Sequence, residues 1–248
     1  VDIGPYTGET GVGGLYAVGE TTAGVHGANR LGGNSLAETV AVAKPVGRHI
    51  AEEFRQRGVA TDGGSEDSQS NGGVDTLSET EAMLPVRMRA HAEREFAALA
   101  RLEAADGEST PEDLLDELGE LLWQDAGIIR DGERLRRALA ELQSLRKQFG
   151  DLRIKGDRTS HAFELAVDLG CSLTVAEATL RTALERTESR GAHYRADYPE
   201  ADETFRENLV VSEGDRGLAI RRRSVGHPSE PVQQALAEQH ELDYHHLE

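Results

Sequence analysis

The densest usable chemistry in this sequence of 248 residues is a lone guanidinium among small residues, Gly27-Ala28-Asn29-Arg30, followed closely by Gly32-Gly33-Asn34-Ser35-Leu36. Arg30 offers a planar pair of donors that matches a carboxylate. The glycines around it let a ligand come close to the backbone. A helix that starts near Asn34 would present free N–H groups and the positive end of its dipole through Asn34, Ser35 and Leu36. That combination suits a negatively charged ring edge. Upstream, Leu15-Tyr16-Ala17-Val18-Gly19-Glu20 reads as a short apolar strand closed by a glycine and an acid. Such a strand end can deliver the Glu20 carboxylate to a ribose or ribityl hydroxyl. Each residue also has a plainer role: Arg30 on loop carbonyls, Glu20 as a surface acid, Ser35 as a helix cap.

The elements that must hold these residues follow from periodicity. Residues 1 to 34 read as turns and one strand. A helix then begins at Asn34 or Ser35, where Ser35 and Glu38 have capping-box spacing. Leu36, Val40, Ala43, Gly47, Ile50 and Phe54 recur at helical spacing and predict one buried face. Pro45 lies inside this stretch and predicts a kink near Ala41–Lys44. Residues 58–80 are polar and rich in glycine, which reads as a flexible linker. Beyond it, helices are expected from about Pro85 to Ala104, from Thr110 as cap to Gly127, from Asp131 through Leu135, Leu139, Leu142 and Leu145, and from about Arg158 to Arg186. Leu209-Val210-Val211 and Leu218-Ala219-Ile220 flank the turn segment Glu213–Gly217 and predict a short hairpin. The expected fold class is α+β: the end of an α/β domain (1–57), the linker (58–80), a mainly helical C-terminal bundle with a short β-hairpin (81–226), and a polar tail (227–248).

Composition narrows the function classes. The net charge is −18, from 45 acidic residues against 27 basic ones, and so acidic a surface is a poor partner for nucleic acid. The Arg221-Arg222-Arg223 run is read as meeting acidic neighbours or a partner subunit. Three lysines and 4% aromatics beside this acidity fit a high-salt, haloarchaeal cytoplasm, where screening suppresses repulsion between carboxylates. An ordinary acidic cytosolic protein with a disordered linker is the alternative. Cys171 is the sole cysteine, which excludes an intramolecular disulfide, and it is expected as a packed core thiol. No apolar run reaches the roughly 20 residues of a membrane span, so direct membrane insertion is not expected. No hydrolase motif occurs, and no metal site is expected, the His245-His246 pair lacking further ligands. His26 is read as a structural hydrogen-bonder. His193, between Arg190 and Arg195, is read either as lying near a bound substrate or as part of an arginine-rich segment that pins the helical region to the N-terminal region through carboxylates and carbonyls.

These segments resemble a known family. HGANRLGGNSLAE at His26–Glu38, the preceding GLYAVGE, and TESRGAHYRADYP at Thr187–Pro199 are similar to the succinate dehydrogenase/fumarate reductase flavoprotein subunit. GIIRDGERL at Gly127–Leu135 resembles that family's helical C-terminal domain. L-aspartate oxidase shares nearly all of these residues, but Leu31-Gly32-Gly33 tilts the likeness toward succinate and fumarate.

The resemblance implies FAD as cofactor and a four-carbon dicarboxylate as substrate. Arg30 would clamp a substrate carboxylate and Gly33 would lie beside substrate and flavin. Glu20, Arg30, Gly33, Asn34, Ser35 and Leu36 would hold the cofactor. Iron–sulfur and membrane-anchor subunits are the implied partners, at the cytoplasmic face of the cell membrane. In that family the GxGxxG fingerprint, the flavin-attaching histidine and the proton-donating arginine precede this motif. None is present here. The expectation is therefore the C-terminal part of a longer flavoprotein, inactive alone and without a catalytic proton donor of its own. A fragment serving only as a helical docking surface is the alternative from another class.

Overall fold

A computed structural model of the chain describes residues 3–4, 7–30, 32–56, 86–104, 106–214, 217–226, 230 and 233–234, without the side chains of 86–91 and 95. The expected linker at 58–80 lies outside these residues, as does most of the expected tail. The chain divides into two units, Val1–Ala201 and Asp202–Glu248.

The first unit is built on α-helices α1 (Asn34–Gln56), α2 (Val86–Glu103), α3 (Pro111–Ala126), α4 (Gly132–Phe149) and α5 (His161–Glu185). Their starts are set by local chemistry. Thr110 caps α3 in a full capping box with Asp113, with Pro111 in the first turn, where its missing N–H costs nothing. Asp131 accepts from the N–H groups of Glu133 and Arg134 to cap α4, and Ser160 caps α5 through Phe163 N–H.

The core forms where the leucine stripes of α3, α4 and α5 meet. Leu114, Leu118, Leu135, Leu142, Leu145, Leu169, Leu173 and Leu180 are all buried, with Ala138, Ala166 and Ala176 allowing close approach between helices. Each such leucine contributes roughly 1.5–3 kcal/mol by leaving water. Two buried carboxylates cross-link the helices: Asp125 of α3 takes Arg137 and Arg134 of α4, and Glu177 of α5 takes Arg146 of α4 at 2.8 Å. Past α5 the chain returns to the start of α4. There β1 (Ile129–Arg130) pairs in parallel with β2 (Tyr194–Arg195).

In the second unit, β3 (Glu207–Gly214) and β4 (Gly217–Ser224) form the expected hairpin, antiparallel and longer than the apolar triplets alone suggest. Arg222 lies over the Phe205 ring at 4.5 Å and 4.0 Å from Glu207. This is the acidic-neighbour reading of the arginine run.

Four local expectations are corrected. Leu15–Glu20 forms no strand: Tyr16 makes one isolated bridge to Glu9, and Gly19–Thr21 is a 3-10 turn. Its neighbour is only the short stretch Gly8–Thr10, where Thr10 N–H donates to Leu15 O at 3.1 Å and Ala17 N–H to Gly8 O at 2.8 Å, too short a pairing for a strand. Ser35 and Glu38 make no capping box, because Glu38 is turned toward Thr22 and His26. The α1 stripe is not buried: Leu36 is 77% exposed, Val40 73% and Phe54 40%, while Glu38 and Val46 are buried instead. Cys171 is exposed rather than packed. Helix α1 itself runs on through Pro45.

Candidate functional site

Glu20 sits in the 3-10 turn that packs on α1, with its side chain in solvent and Gly19 buried beneath it. The turn is tied down through Thr22, whose hydroxyl donates to Gly19 O at 2.7 Å and to Glu38 Oε1 at 3.3 Å. Glu38 Oε2 also lies 2.6 Å from His26 Nε2. One buried carboxylate on α1 thus holds Thr22 and His26 in the loop between Glu20 and Arg30, and His26 has a structural role here. The sequence suggested a cap for Glu38; its partners lie upstream of the helix.

Arg30 is exposed and makes no hydrogen bond or ion pair among the described residues. Gly33 has φ +83°, a backbone geometry that favours glycine, and the space where a side chain would project is open. Asn34 and Leu36 are exposed and Ser35 is half-buried. The first turn of α1 holds no acid, and no described side chain accepts from the N–H groups of Asn34, Ser35 or Leu36. Among the described residues, those donors and the Arg30 fork are unclaimed.

The arginine-rich segment after α5 is a braced platform. Arg195 is buried and donates through Nη1 to the carbonyls of Ala183, Leu184 and Arg186 at 2.8, 3.2 and 3.0 Å. Glu188, fully buried, accepts from Arg186 at 2.6 Å and from Arg190 at 3.0 Å. His193 Nδ1 accepts from Arg130 Nη1 at 3.0 Å. Burial, and then the nearby Arg130, Arg186 and Arg195, push the His193 pKa below its ordinary value, so the ring is neutral. The platform touches the Arg30 loop: Ala192 N–H donates to Ala28 O at 3.2 Å. The bonds described for Arg190, His193 and Arg195 brace the turn within the helical region, to Glu188, Arg130 and the end of α5, and the tie to residues 1–57 is the backbone bond at Ala28.

Glu9, His49 and Glu53 bring one ligand atom each to within 4.8 Å of one another; His49 and Glu53 lie one turn apart on α1, and the fold adds Glu9. Glu53 also accepts from the Tyr16 hydroxyl.

Comparison with known proteins decides the family. Residues 115–238 match the sequence family described as fumarate reductase flavoprotein C-term, which covers half of the chain. The chain belongs to that family. Residues 5–36 match an FAD binding domain, so FAD is the cofactor of this flavoprotein. The fumarate reductase flavoprotein subunit of Haemophilus influenzae is 33% identical over 201 residues, covering 80% of this chain and 30% of that protein. Its counterpart in Escherichia coli is 33% identical over 192 residues, covering 76% and 28% respectively. Among solved structures, a chain of the E. coli quinol fumarate reductase superposes with a TM-score of 0.70 at 31% identity, covering 92% of this chain and 36% of that one. Sdh1 of Mycobacterium smegmatis gives 0.70 at 28% identity, covering 96% and 37%. This flavoprotein chain spans about a third of the length of the curated relatives it matches.

Proposed function

We propose that this chain is the C-terminal part of an FAD-dependent flavoprotein subunit that interconverts succinate and fumarate. The observation that carries the reading is the pairing, within one continuous loop and helix start, of an unclaimed guanidinium at Arg30 with unclaimed N–H groups at the head of α1. Arg30 clamps one substrate carboxylate through two parallel N–H···O bonds and orients the central C–C bond. The backbone N–H groups of Asn34, Ser35 and Leu36 hold the pyrimidine edge of the flavin, and Gly33 lets substrate and ring approach the chain. The open space at Gly33 supports that fit. Glu20, held out on its turn, accepts from a ribose or ribityl hydroxyl. When bound, FAD supplies the hydride acceptor and donor; the positive end of α1 favours negative charge on its ring.

The division of the chain follows the same reading, with 1–57 closing the flavin domain and 81–226 forming the helical domain. In the whole protein, electrons pass to an iron–sulfur partner, and membrane-anchor subunits hold the complex at the cytoplasmic face. No described helix is long and apolar enough to cross a membrane, so the membrane is met through those partners. The uncovered apolar stripe of α1 supports a cover supplied by the rest of the flavin domain.

The test is made on the complete flavoprotein that carries this chain. Arg30→Lys keeps the charge and loses the fork; Arg30→Ala loses both. Both should retain FAD and lose at least about tenfold in kcat/KM, the equivalent of one charge-assisted hydrogen bond of about 1.5–3 kcal/mol. Succinate and fumarate should be affected alike. Near-normal turnover in Arg30→Ala with flavin retained overturns the clamp, and wild-type turnover of aspartate above that of succinate moves the assignment to the oxidase. Expressed alone, the chain should be colourless.

A further inference from the structure

We infer that the turn Arg190–His193 is a positioning element for Arg30, through which the helical domain sets the geometry of the substrate-binding loop. The inference rests on the reading of Arg30 as the carboxylate clamp. Ala28, two residues before Arg30, is held from outside its own loop: its carbonyl accepts the Ala192 N–H at 3.2 Å. The approach is so close that only glycine fits on the other side. A Cβ on Gly191 would lie 2.3 Å from Ala28 O and 2.6 Å from Ala28 C. The Gly191 backbone, at φ +58°, also disfavours any side chain.

A contact positions its target only if it is stiffer than the target. Arg190 and His193 close the turn with reciprocal backbone bonds of 2.8 and 3.0 Å. Below it, Arg190 is forked onto the fully buried Glu188. His193 is held by Arg130 of β1, and Arg195 is tied to the end of α5. Opposite this platform, the stretch from Gly27 to Arg30 makes no described side-chain hydrogen bond, and Gly27 leaves its entry free to shift. Rigidity therefore flows from bundle to turn to Ala28, and from there to the guanidinium. The turn touches neither substrate nor flavin; its effect is on where Arg30 points.

The experiment compares Gly191→Ala, Arg30→Lys and the double variant in the complete flavoprotein, with flavin content measured on each. Gly191→Ala should keep its flavin and lose about tenfold or more in kcat/KM for fumarate and succinate, since small misplacements of a clamp are costly. On the Arg30→Lys background the same substitution should cost less than about twofold, because effects that run through one residue do not add. Arg190→Lys, which loses only the fork onto Glu188, should show the same pattern at smaller size and stands in if Gly191→Ala does not fold. Independently of turnover, hydrogen exchange on this chain should show Gly27–Arg30 amides exchanging faster in Gly191→Ala, with the α4 and α5 amides unchanged. Full additivity with Arg30→Lys, wild-type turnover in the glycine variant, or unchanged loop exchange would each overturn the positioning role. A near-normal Arg30→Lys instead overturns the clamp itself, so the two failures are distinct.

Discussion

Arg195 and Asp197 form a two-pronged ion pair, Nε to Oδ1 at 2.8 Å and Nη2 to Oδ2 at 2.7 Å, that joins the tail of one helix to the head of another. The arginine's remaining nitrogen satisfies carbonyls at the end of α5, while Asp197 Oδ2 accepts the Gly132 N–H at the start of α4, at 2.9 Å. Cation and anion each sit at the helix terminus whose dipole favours them. The Arg195 guanidinium first, then the Gly132 N–H, holds the Asp197 carboxyl down to about 2.

Asp197→Asn should therefore destabilise the chain at neutral pH. The folded-state pKa lies below that of the unfolded chain, so the contribution is fully present above about pH 4 and is lost as pH falls toward 2. The carboxylate is about one third exposed, which reduces the effect to the order of 1 kcal/mol. Urea titrations of both proteins from pH 7 to pH 2 should converge at the acid end; a constant gap would refute the linkage.

His193 should act in the opposite part of the range. Its folded pKa is depressed, so the unfolded chain binds the proton first, and stability is lost as pH falls below about 6.5. His193→Gln removes the titration. The wild type should be the more sensitive protein between pH 7.5 and pH 5, and equal pH slopes for the two melting temperatures would count against it.

Glu38→Ala should loosen a loop without weakening the bundle. It removes the acceptor shared by Thr22 and His26, so amides between Thr22 and Arg30 should exchange faster. Core amides of α4 and α5 should be unaffected. Slowed or unchanged loop exchange would show that the anchor lies elsewhere.

Salt should reveal whether the acidity is an adaptation. With a net charge of −18, screening by molar KCl should raise the melting temperature of a halophilic chain. A flat or falling response would return it to the ordinary acidic proteins.

The helical part of this fold was legible because its signals are local. The Thr110, Pro111 and Asp131 caps and the leucine spacing place both ends of α3 and the start of α4 within a residue or two of those observed. Near the N-terminus the same reasoning failed wherever a partner was assumed. Leu15–Glu20 has strand composition without a neighbouring strand among the described residues, and α1 has a core-like stripe left exposed at Leu36, Val40 and Phe54. Cys171 misled in the same way: its helix is apolar on several sides, and composition cannot say which side faces the core. In the candidate site, Arg30 and the head of α1 could be read from residue type. Glu38 as anchor, and Gly191 against Ala28, are long-range matters of geometry and leave no periodic trace.

The parallel pairing of Ile129 with Tyr194 has a consequence for the order in which the molecule is built. It joins two segments separated by the entire α4–α5 hairpin, so its closure entropy is met only once those helices have already packed. Arg195 cannot find its carbonyls before α5 ends where it does, and Gly191 cannot reach Ala28 before Arg195 is in place. The Arg30 loop leaves the ribosome before the helical bundle does, yet its fit against that bundle is completed last. A slow final step in refolding, reported by protection of the Ala192 amide after the helices have formed, is the kinetic signature of that sequence of events.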